Sequence, residues 1–333
     1  MADRPLVSVI IPTYNNADFV CEAVESVLAQ TWRPIEVFVI DDGSEDDTIE
    51  RLKTFKSDVR LLQQKHLGPA VARNAGLAEA GGEFVAFLDS DDLYRTEKLE
   101  RSVEALEQNT EAGVVYTAIR VREIESGLTY SQPQYTMSGW LARDLFLECR
   151  GVNTSTLVVR REAIDRVGTF DEELFRCQDW DLMLRLAEAY PYVHLPEELT
   201  ERRLHGRSIS VTHAHLYRKY NLLVLEKALA RRPDLYRNLK KRAFALAHLR
   251  FGLNHYGAYR LHDARREFRA SLACRWSARA FNYWLRTWLP ESLIQRLRAY
   301  RIAREHGAPE AAGEENASVV PAEPSENECR HGS

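Results

Sequence analysis

FVAFLDSDD, residues 84–92, is the stretch on which the fold turns. Phe84 to Leu88 are five apolar residues in the pattern of a short buried strand, and the strand delivers Asp89, Ser90, Asp91 and Asp92 at its C-terminal end. A buried strand ending in three carboxylates is unfavourable alone, because like charges in a poorly solvated place raise one another's pKa values and destabilise the fold. A divalent cation or another positive group there removes the difficulty. Hard cations prefer carboxylate oxygen, and Mg²⁺ or Mn²⁺ is commonly held by one or two carboxylates together with substrate phosphates. Strand ends of α/β sheets are also where such folds place ligands. Taken alone, the same residues equally make an Asp- and Ser-rich turn that caps the next helix.

Upstream, LVSVII at 6–11 is β-branched and apolar, a second buried strand expected to end at Pro12. Asp18 is placed to cap a helix carrying Val20, Ala23, Val24, Val27 and Leu28 on one face. A strand follows at 35–40, ending in Asp41-Asp42-Gly43-Ser44, then a helix in DDTIERLKTF, a short strand at 59–62 and a helix over 68–80 broken by Gly81-Gly82. This alternation implies a parallel sheet covered by helices on both faces, in one α/β domain. Right-handed crossovers bring neighbouring parallel strand ends to one rim. Thr13 and Asn15, Asp41 and Asp42, and Asp89, Asp91 and Asp92 can therefore converge on one site. A nucleotide suits it, with Asp or Asn toward a base edge or ribose and a metal on the phosphates. No GxGxxG follows the first strand and no GxxxxGK[ST] occurs, which excludes a dinucleotide fingerprint and a P-loop.

Downstream, 93–108 reads as one charged amphipathic helix, 114–121 as a strand, and 126–139 as a loop over an acceptor cleft. CQDWDLMLRLAEAY places Asp179 and Asp181 at the opening of a helix, where free N–H groups stabilise a carboxylate. Such a group suits a general base facing a cleft, and equally an N-cap. Arg202, Arg203, His205 and Arg207 form a positive tract able to face a pyrophosphate.

The whole chain, 333 residues with net charge −4, has an ordinary globular composition and gives no argument for nucleic-acid binding. Five widely spaced cysteines without a CxxC suggest neither a disulfide framework nor a zinc site. The N-terminus lacks a signal-peptide pattern, and no apolar run approaches the roughly 20 residues of a spanning helix. The expectation is a cytoplasmic protein. Three regions are expected: a catalytic domain at 1–212, a mainly helical C-terminal region at 213–305, and a disordered acidic tail at 306–333. Residues 271–305 hold seven arginines against two glutamates, with several Trp, Tyr and Phe. They either pack on the catalytic body or lie on the inner leaflet of an anionic membrane.

The motifs VSVIIPTYN, VIDDGSEDDT, GPAVARNAG, FVAFLDSDD and CQDWDLMLRL, in that order across residues 7–186, resemble a family 2 glycosyltransferase. The resemblance implies the GT-A fold, a nucleotide-diphospho-sugar transferase-like mostly parallel sheet flanked by helices. It also implies an inverting enzyme that uses a nucleotide-diphospho-sugar, a UDP-sugar by family default, usually with Mg²⁺ or Mn²⁺. The acceptor would be a glycan or lipid-linked glycan. Carried over residue by residue, Thr13, Asn15, Asp41 and Asp42 would lie near the nucleotide and Arg73 near the base or phosphates. Asp89 and Asp91 match the metal-binding DxD, Asp91 as the direct ligand and Asp89 toward the ribose. Asp179 matches the catalytic aspartate, and His205 a histidine that helps hold the diphosphate or metal. Gln178 and Trp180 would stand on the acceptor side. Gln178 departs from the family, which commonly has Glu there, and this bears on acceptor identity. A nucleotidyltransferase would show a Gly-rich, basic signature after the first strand, where PTYNN has neither. A nucleotide-sugar-binding protein without activity fits poorly with the retained Asp42, Asp89, Asp91 and Asp179.

Overall fold

The computed structural model describes residues 4–132, 136–148, 152–206 and 216–296. Its first part alternates β1 (Val7–Thr13), α1 (Val20–Leu28), β2 (Ile35–Asp41), α2 (Thr48–Leu52), β3 (Arg60–Gln63), α3 (Pro69–Glu79) and β4 (Phe84–Phe87). β1 lies between β2 and β4, and these strands with β3 run parallel, with Val9 level with both Val37 and Ala86. Their side chains are apolar on both faces, so only a layer on each side can cover them. α1 buries Val20, Ala23, Val24 and Val27 against one face, together with Val7, Val9 and Ile11. The other face, Ile10, Phe38, Ile40 and Phe87, meets α3. A Cβ on Gly76 would stand 2.7 Å from Ile40 Cδ1, so glycine sets how closely α3, the carrier of Arg73, approaches the sheet.

Pro12 does not end β1, contrary to expectation; it pairs with Ile40 and the strand runs on to Thr13. Thr13 bonds toward β2 and Ile10 toward β4 through the Asp42 and Leu88 amides, so the edge on which Pro12 lacks an N–H faces a strand already ended at Phe87. The pairing with β4 stops at the Leu88 amide, where Pro12 has no N–H to continue it.

The sheet continues through β5 (Leu93–Tyr94), α4 (Lys98–Gln108), β6 (Val114–Glu123), β7 (Thr129–Ser131), α5 (Ala142–Leu147), β8 (Leu157–Arg160), α6 (Arg161–Val167), α7 (Gln178–Ala189) and β9 (Tyr192–Leu204). Its nine strands run in the order β3-β2-β1-β4-β8-β6-β9-β5, with β7 on β6. β8 lies antiparallel to both β4 and β6, and β9 is parallel to β6. Two expectations shift because of long-range pairing. Leu93 and Tyr94, read as helix, pair with Glu201 and Thr200, and part of the 126–139 loop pairs back on β6 as β7.

Further helices follow, among them α8 (Tyr217–Arg231), α9 (Pro233–Tyr236), α10 (Lys240–Gly257), α11 (Leu261–Cys274) and α12 (Ala278–Arg286). Val224, Leu225, Ala228, Tyr236, Ala247 and Phe251 join the apolar cluster that holds Phe146 of α5 and Leu182 and Leu186 of α7. The rings of Phe146 and Tyr236 stack at 4.2 Å. These helices therefore complete the core on one face of the sheet. α11 and α12 build a smaller cluster with the end of α10, around Leu249, Ala264, Phe268 and Ala280. The expected boundary at 212/213 and the acidic tail 306–333 lie outside the described residues. Among the described residues no helix is long and apolar enough to cross a membrane.

Candidate functional site

The ends of β1 and β4, the loop after β2, the end of β9 and the first turn of α7 open on one cavity of about 660 Å³. Thr13, Asn15, Asp42, Arg73, Asp89, Asp91, Gln178, Asp179, Trp180 and His205 all line it. Asp91 and Asp179, distant in the chain, thus share one cleft. Asp41 does not line it. Its buried carboxylate turns back to accept from the Gly43 and Ser44 amides, at 3.3 and 3.2 Å, and holds the turn after β2. The expectation that Asp41 faces the nucleotide is corrected: the side chain is used within its own turn, an Asx-type arrangement.

The neighbouring residues form the end of the cavity to which the sequence assigns the nucleotide. Asp42 reaches the cavity, yet both its carboxylate oxygens already accept bonds: Oδ1 from the Leu67 amide at 2.9 Å and Gln64 at 2.6 Å, Oδ2 from the Gly68 amide at 2.9 Å. His66 Nδ1 lies 2.9 Å from Oδ2. Asp42 thereby draws the 64–68 loop over the cavity. Tyr14 and His66 stack there, ring centroids 3.9 Å apart, as a half-exposed aromatic platform. Neither was singled out from the sequence; both are loop residues without a period, and only the fold of the loop makes them neighbours. Asn15, in the left-handed region at φ 46, accepts from the Glu45 amide at 2.8 Å and joins the ends of β1 and β2.

At the centre, Asp89, Asp91 and Asp92 present carboxylate oxygens within 4.8 Å of one another. Their surroundings differ. Asp89 accepts from Arg73 Nη2 at 2.6 Å. Burial pushes its pKa up, Arg73 pulls it down, and Asp91 and Asp179 push it up again. About a third of its side chain still opens to the cavity, so it lies at the bottom of a cleft rather than sealed from water. Asp92 is sealed: Oδ2 accepts from Ser155 Oγ at 2.7 Å and Oδ1 from the Arg203 amide at 3.2 Å, and burial raises its pKa strongly. With both oxygens engaged, Asp92 anchors the loop to β9. Asp91 has His205 Nε2 at 3.2 Å from Oδ2, and the imidazole stacks on Phe19 at 4.6 Å.

Donor chemistry fits a hard cation. Asp91 and Asp89 offer carboxylate oxygen, His205 a ring nitrogen, and like-charge crowding persists among the carboxylates despite Arg73. A bound anion also suits the place. Arg73 Nε and Nη1, Thr13 Oγ1 and His205 Nδ1 are buried without a hydrogen-bond partner, which is unfavourable unless a ligand supplies one. Arg203, part of the expected positive tract, is unavailable to a ligand: its guanidinium binds Glu22 and the Asp91 and Phe19 carbonyls. Arg202 and Arg176 do line the cavity, and Arg207 lies outside the described residues.

Across the cleft, Cys177 adopts a left-handed conformation, φ 62, and α7 begins at Gln178. Asp179 Oδ1 accepts from the Trp180 amide at 2.8 Å, at the positive end of the helix. The Trp180 ring is buried and its Nε1 donates to the Leu145 carbonyl at 2.8 Å, so Trp180 serves chiefly to pin the first turn of α7. Asp181 turns away to Arg185 at 2.7 Å and Arg231 of α8 at 3.4 Å. The C-terminal helices also reach the cavity directly, through Tyr217 at the start of α8. Nothing local in the sequence marks that residue.

Residues 8–168 match the family model described as Glycosyl transferase family 2. A chondroitin synthase of Escherichia coli is 29% identical over 233 residues, 68% of this chain and 33% of the synthase. The match spans about a third of this synthase's length, and likewise a third of an uncharacterized glycosyltransferase of Rickettsia felis. Among solved structures, S. aureus TarS 1–349 in complex with UDP-GlcNAc superposes with a TM-score of 0.60 at 20% identity, covering 87% of this chain and 92% of that one. The mannosyltransferase PcManGT from Pyrobaculum calidifontis, in complex with GDP-Man and Mn²⁺, gives 0.58 at 21% identity, covering 90% and 81%. These two likenesses establish the fold.

Proposed function

We propose, for a chain that belongs to glycosyl transferase family 2 and carries the GT-A fold, that it moves a sugar from a nucleotide-diphospho-sugar to an acceptor hydroxyl with inversion. One observation carries the reading: the acidic loop after β4 and Asp179 of α7 line the same cavity. The donor lies with its base toward Tyr14 and Asp42 and its diphosphate toward Arg73 and the acidic loop. UDP-sugars are favoured as donor, in keeping with the UDP-GlcNAc bound to TarS, while the GDP-Man on PcManGT marks the alternative base. Mg²⁺ or Mn²⁺ held by Asp91 and Asp89, with His205 beside them, would neutralise charge on the departing diphosphate.

Asp179 takes the acceptor proton on Oδ2, the oxygen not bonded to the Trp180 amide. The acceptor oxygen bonds to the anomeric carbon as the bond from that carbon to the phosphate oxygen breaks, and the nucleoside diphosphate leaves on the opposite side. Arg73 holds Asp89 through Nη2 and turns Nε and Nη1 to the phosphates. Gln178 and Tyr217 contact the acceptor, a glycan or lipid-linked glycan of a surface polysaccharide. The chondroitin synthase relative supports that acceptor class. The enzyme works on the cytoplasmic side, peripheral to the membrane.

The test is a screen of nucleotide sugars against soluble and lipid-linked acceptors, with Mn²⁺ or EDTA, reading product mass and anomeric configuration by NMR. Inverted product from one donor is expected. Retained configuration would overturn the single displacement, and binding without turnover on any acceptor would leave a nucleotide-sugar-binding protein.

A further inference from the structure

We propose that the outer face of α12, with Trp276 before it and Trp288 after it, is a docking surface for an anionic lipid bilayer. This deepens the peripheral-membrane reading by naming the surface, and it does not depend on the sugar chemistry. The helix has an ordinary inner face: Ala280, Tyr283 and Trp284 pack on Phe268 and Leu249 of the satellite cluster. Its outer face is unusual. Phe281 and Leu285, four residues apart and so on one stripe, are 41% and 48% exposed, and Trp276 and Trp288 are 71% and 61% exposed. Four large apolar side chains in water around one short helix are unfavourable, and exposed apolar surface concentrated in this way marks a contact surface. Trp288 is held out in place, not left loose: the Arg265 guanidinium lies 3.6 Å from its ring centroid and bonds the neighbouring Thr287 carbonyl at 2.8 Å.

Charge selects the occupant. No Asp or Glu occurs between Glu267 and Glu291, an interval that carries Arg269, Arg275, Arg279 and Arg286. On a 3.6-residue turn, Arg279 and Arg286 fall together about 130° round the helix from the Phe281–Leu285 stripe, at the opposite edge of the outer face. An outer face with an apolar stripe on one edge, arginines on the other and tryptophans flanking the helix in the chain is the pattern of a helix lying in the plane of a bilayer surface. Pairing of this face with its own copy about a twofold axis would set arginine against arginine, with no acid in the segment to relieve it. A neutral apolar partner would leave the cations unused. Anionic headgroups with acyl chains beneath them satisfy both halves.

The experiment is co-sedimentation of the full chain with phosphatidylcholine vesicles, with and without about one third phosphatidylglycerol. Binding at least about tenfold stronger to the anionic vesicles is expected, falling about tenfold or more in Phe281→Ser/Leu285→Ser and in Arg279→Ser/Arg286→Ser. Circular dichroism and thermal melting check that each variant folds. Three results would overturn the proposal: no preference for anionic vesicles, binding that survives both double substitutions, or a dimer in ultracentrifugation that needs Phe281 and Leu285 while vesicle binding is absent. Transfer to a soluble acceptor reports separately on the active site, so either reading can fail while the other stands.

Discussion

The two walls of the cavity put the same chemical group to different uses. On one side the acidic loop crowds three carboxylates together, with Asp89 tied to Arg73, Asp91 beside His205 and Asp92 sealed under Ser155 and the Arg203 amide. On the other, Asp179 sits at a helix N-terminus, with one oxygen on the Trp180 amide. Behind the loop lies a buried polar chain in which Lys98 Nζ bonds the Thr156 carbonyl and Thr200 bonds the Ser155 carbonyl. Behind Asp179 lies an ion network through Asp181, Arg231 and Glu188. Crowded carboxylates repel and so favour a cation; a carboxylate at a helix N-terminus, with one oxygen on an amide, keeps the other oxygen for a proton. In the proposed reaction, environment rather than residue type would divide holding a charge from moving a proton.

That division breaks most sharply at Asp179. Asp179→Asn should lower transfer by about 10²–10⁴-fold, the usual weight of a general base, while calorimetric affinity for nucleotide and Mn²⁺ stays near wild type. Transfer near the wild-type rate would remove Asp179 from the base role. The opposite wall should respond in the opposite way. Asp91→Ala is expected to abolish the strengthening of nucleoside diphosphate binding by Mn²⁺, read by calorimetry with and without the ion; unchanged metal dependence would reject Asp91 as a ligand.

Smaller effects test what stands behind each wall. Arg231→Ala leaves the Glu188 carboxylate, whose side chain is little exposed, without its cation and Asp181 with Arg185 alone. Loss of a cation from a buried pair costs about 3–5 kcal/mol, and the partial exposure of Arg231 reduces this to about 2 kcal/mol, measurable by urea unfolding. No loss of stability would show that α8 does not brace α7 through this network.

Lys98 is fully buried, and burial pulls its pKa down to about 7 from an ordinary value near 10.4. Between those values the unfolded chain binds the proton that the folded chain has released. Stability should therefore rise with pH from about 7 toward 10 and be flat with respect to this group below 7. Lys98→Met should remove that rise, whose slope is at most about 1.4 kcal/mol per pH unit. Wild-type and variant curves that stay parallel through the window would contradict the depressed pKa.

Much of the site was legible early because its chemistry sits where strands stop. Apolar runs such as VSVII and FVAF announce buried parallel strands, and the polar residues immediately after them have to emerge on one rim. Asp89, Asp91 and Asp42 followed from that rule, and Asp179 from its place at a helix opening. Asp41 was misplaced because alternation cannot say whether an aspartate after a strand faces a ligand or its own turn. Tyr14, His66, Ser155 and Tyr217 carried no signal, since each acquires its role from a neighbour far away in the chain: Tyr14 from His66, Ser155 from Asp92, Tyr217 from the fold of α8 onto the cavity. Leu93 and Tyr94 were read as helix for the same reason, as their strand exists only through Thr200 and Glu201.

By itself the amino-acid sequence determined the parallel half of the sheet, the helices that cover it and the carboxylates at its rim, because hydrophobic periodicity and turn chemistry are local and act within a few residues. Only the tertiary structure decided which carboxylates face the cavity, which anchor loops, and that α8 to α10 complete the core beneath α7. Those choices depend on burial and on partners supplied by distant segments, and a residue's own neighbours in the chain do not encode them.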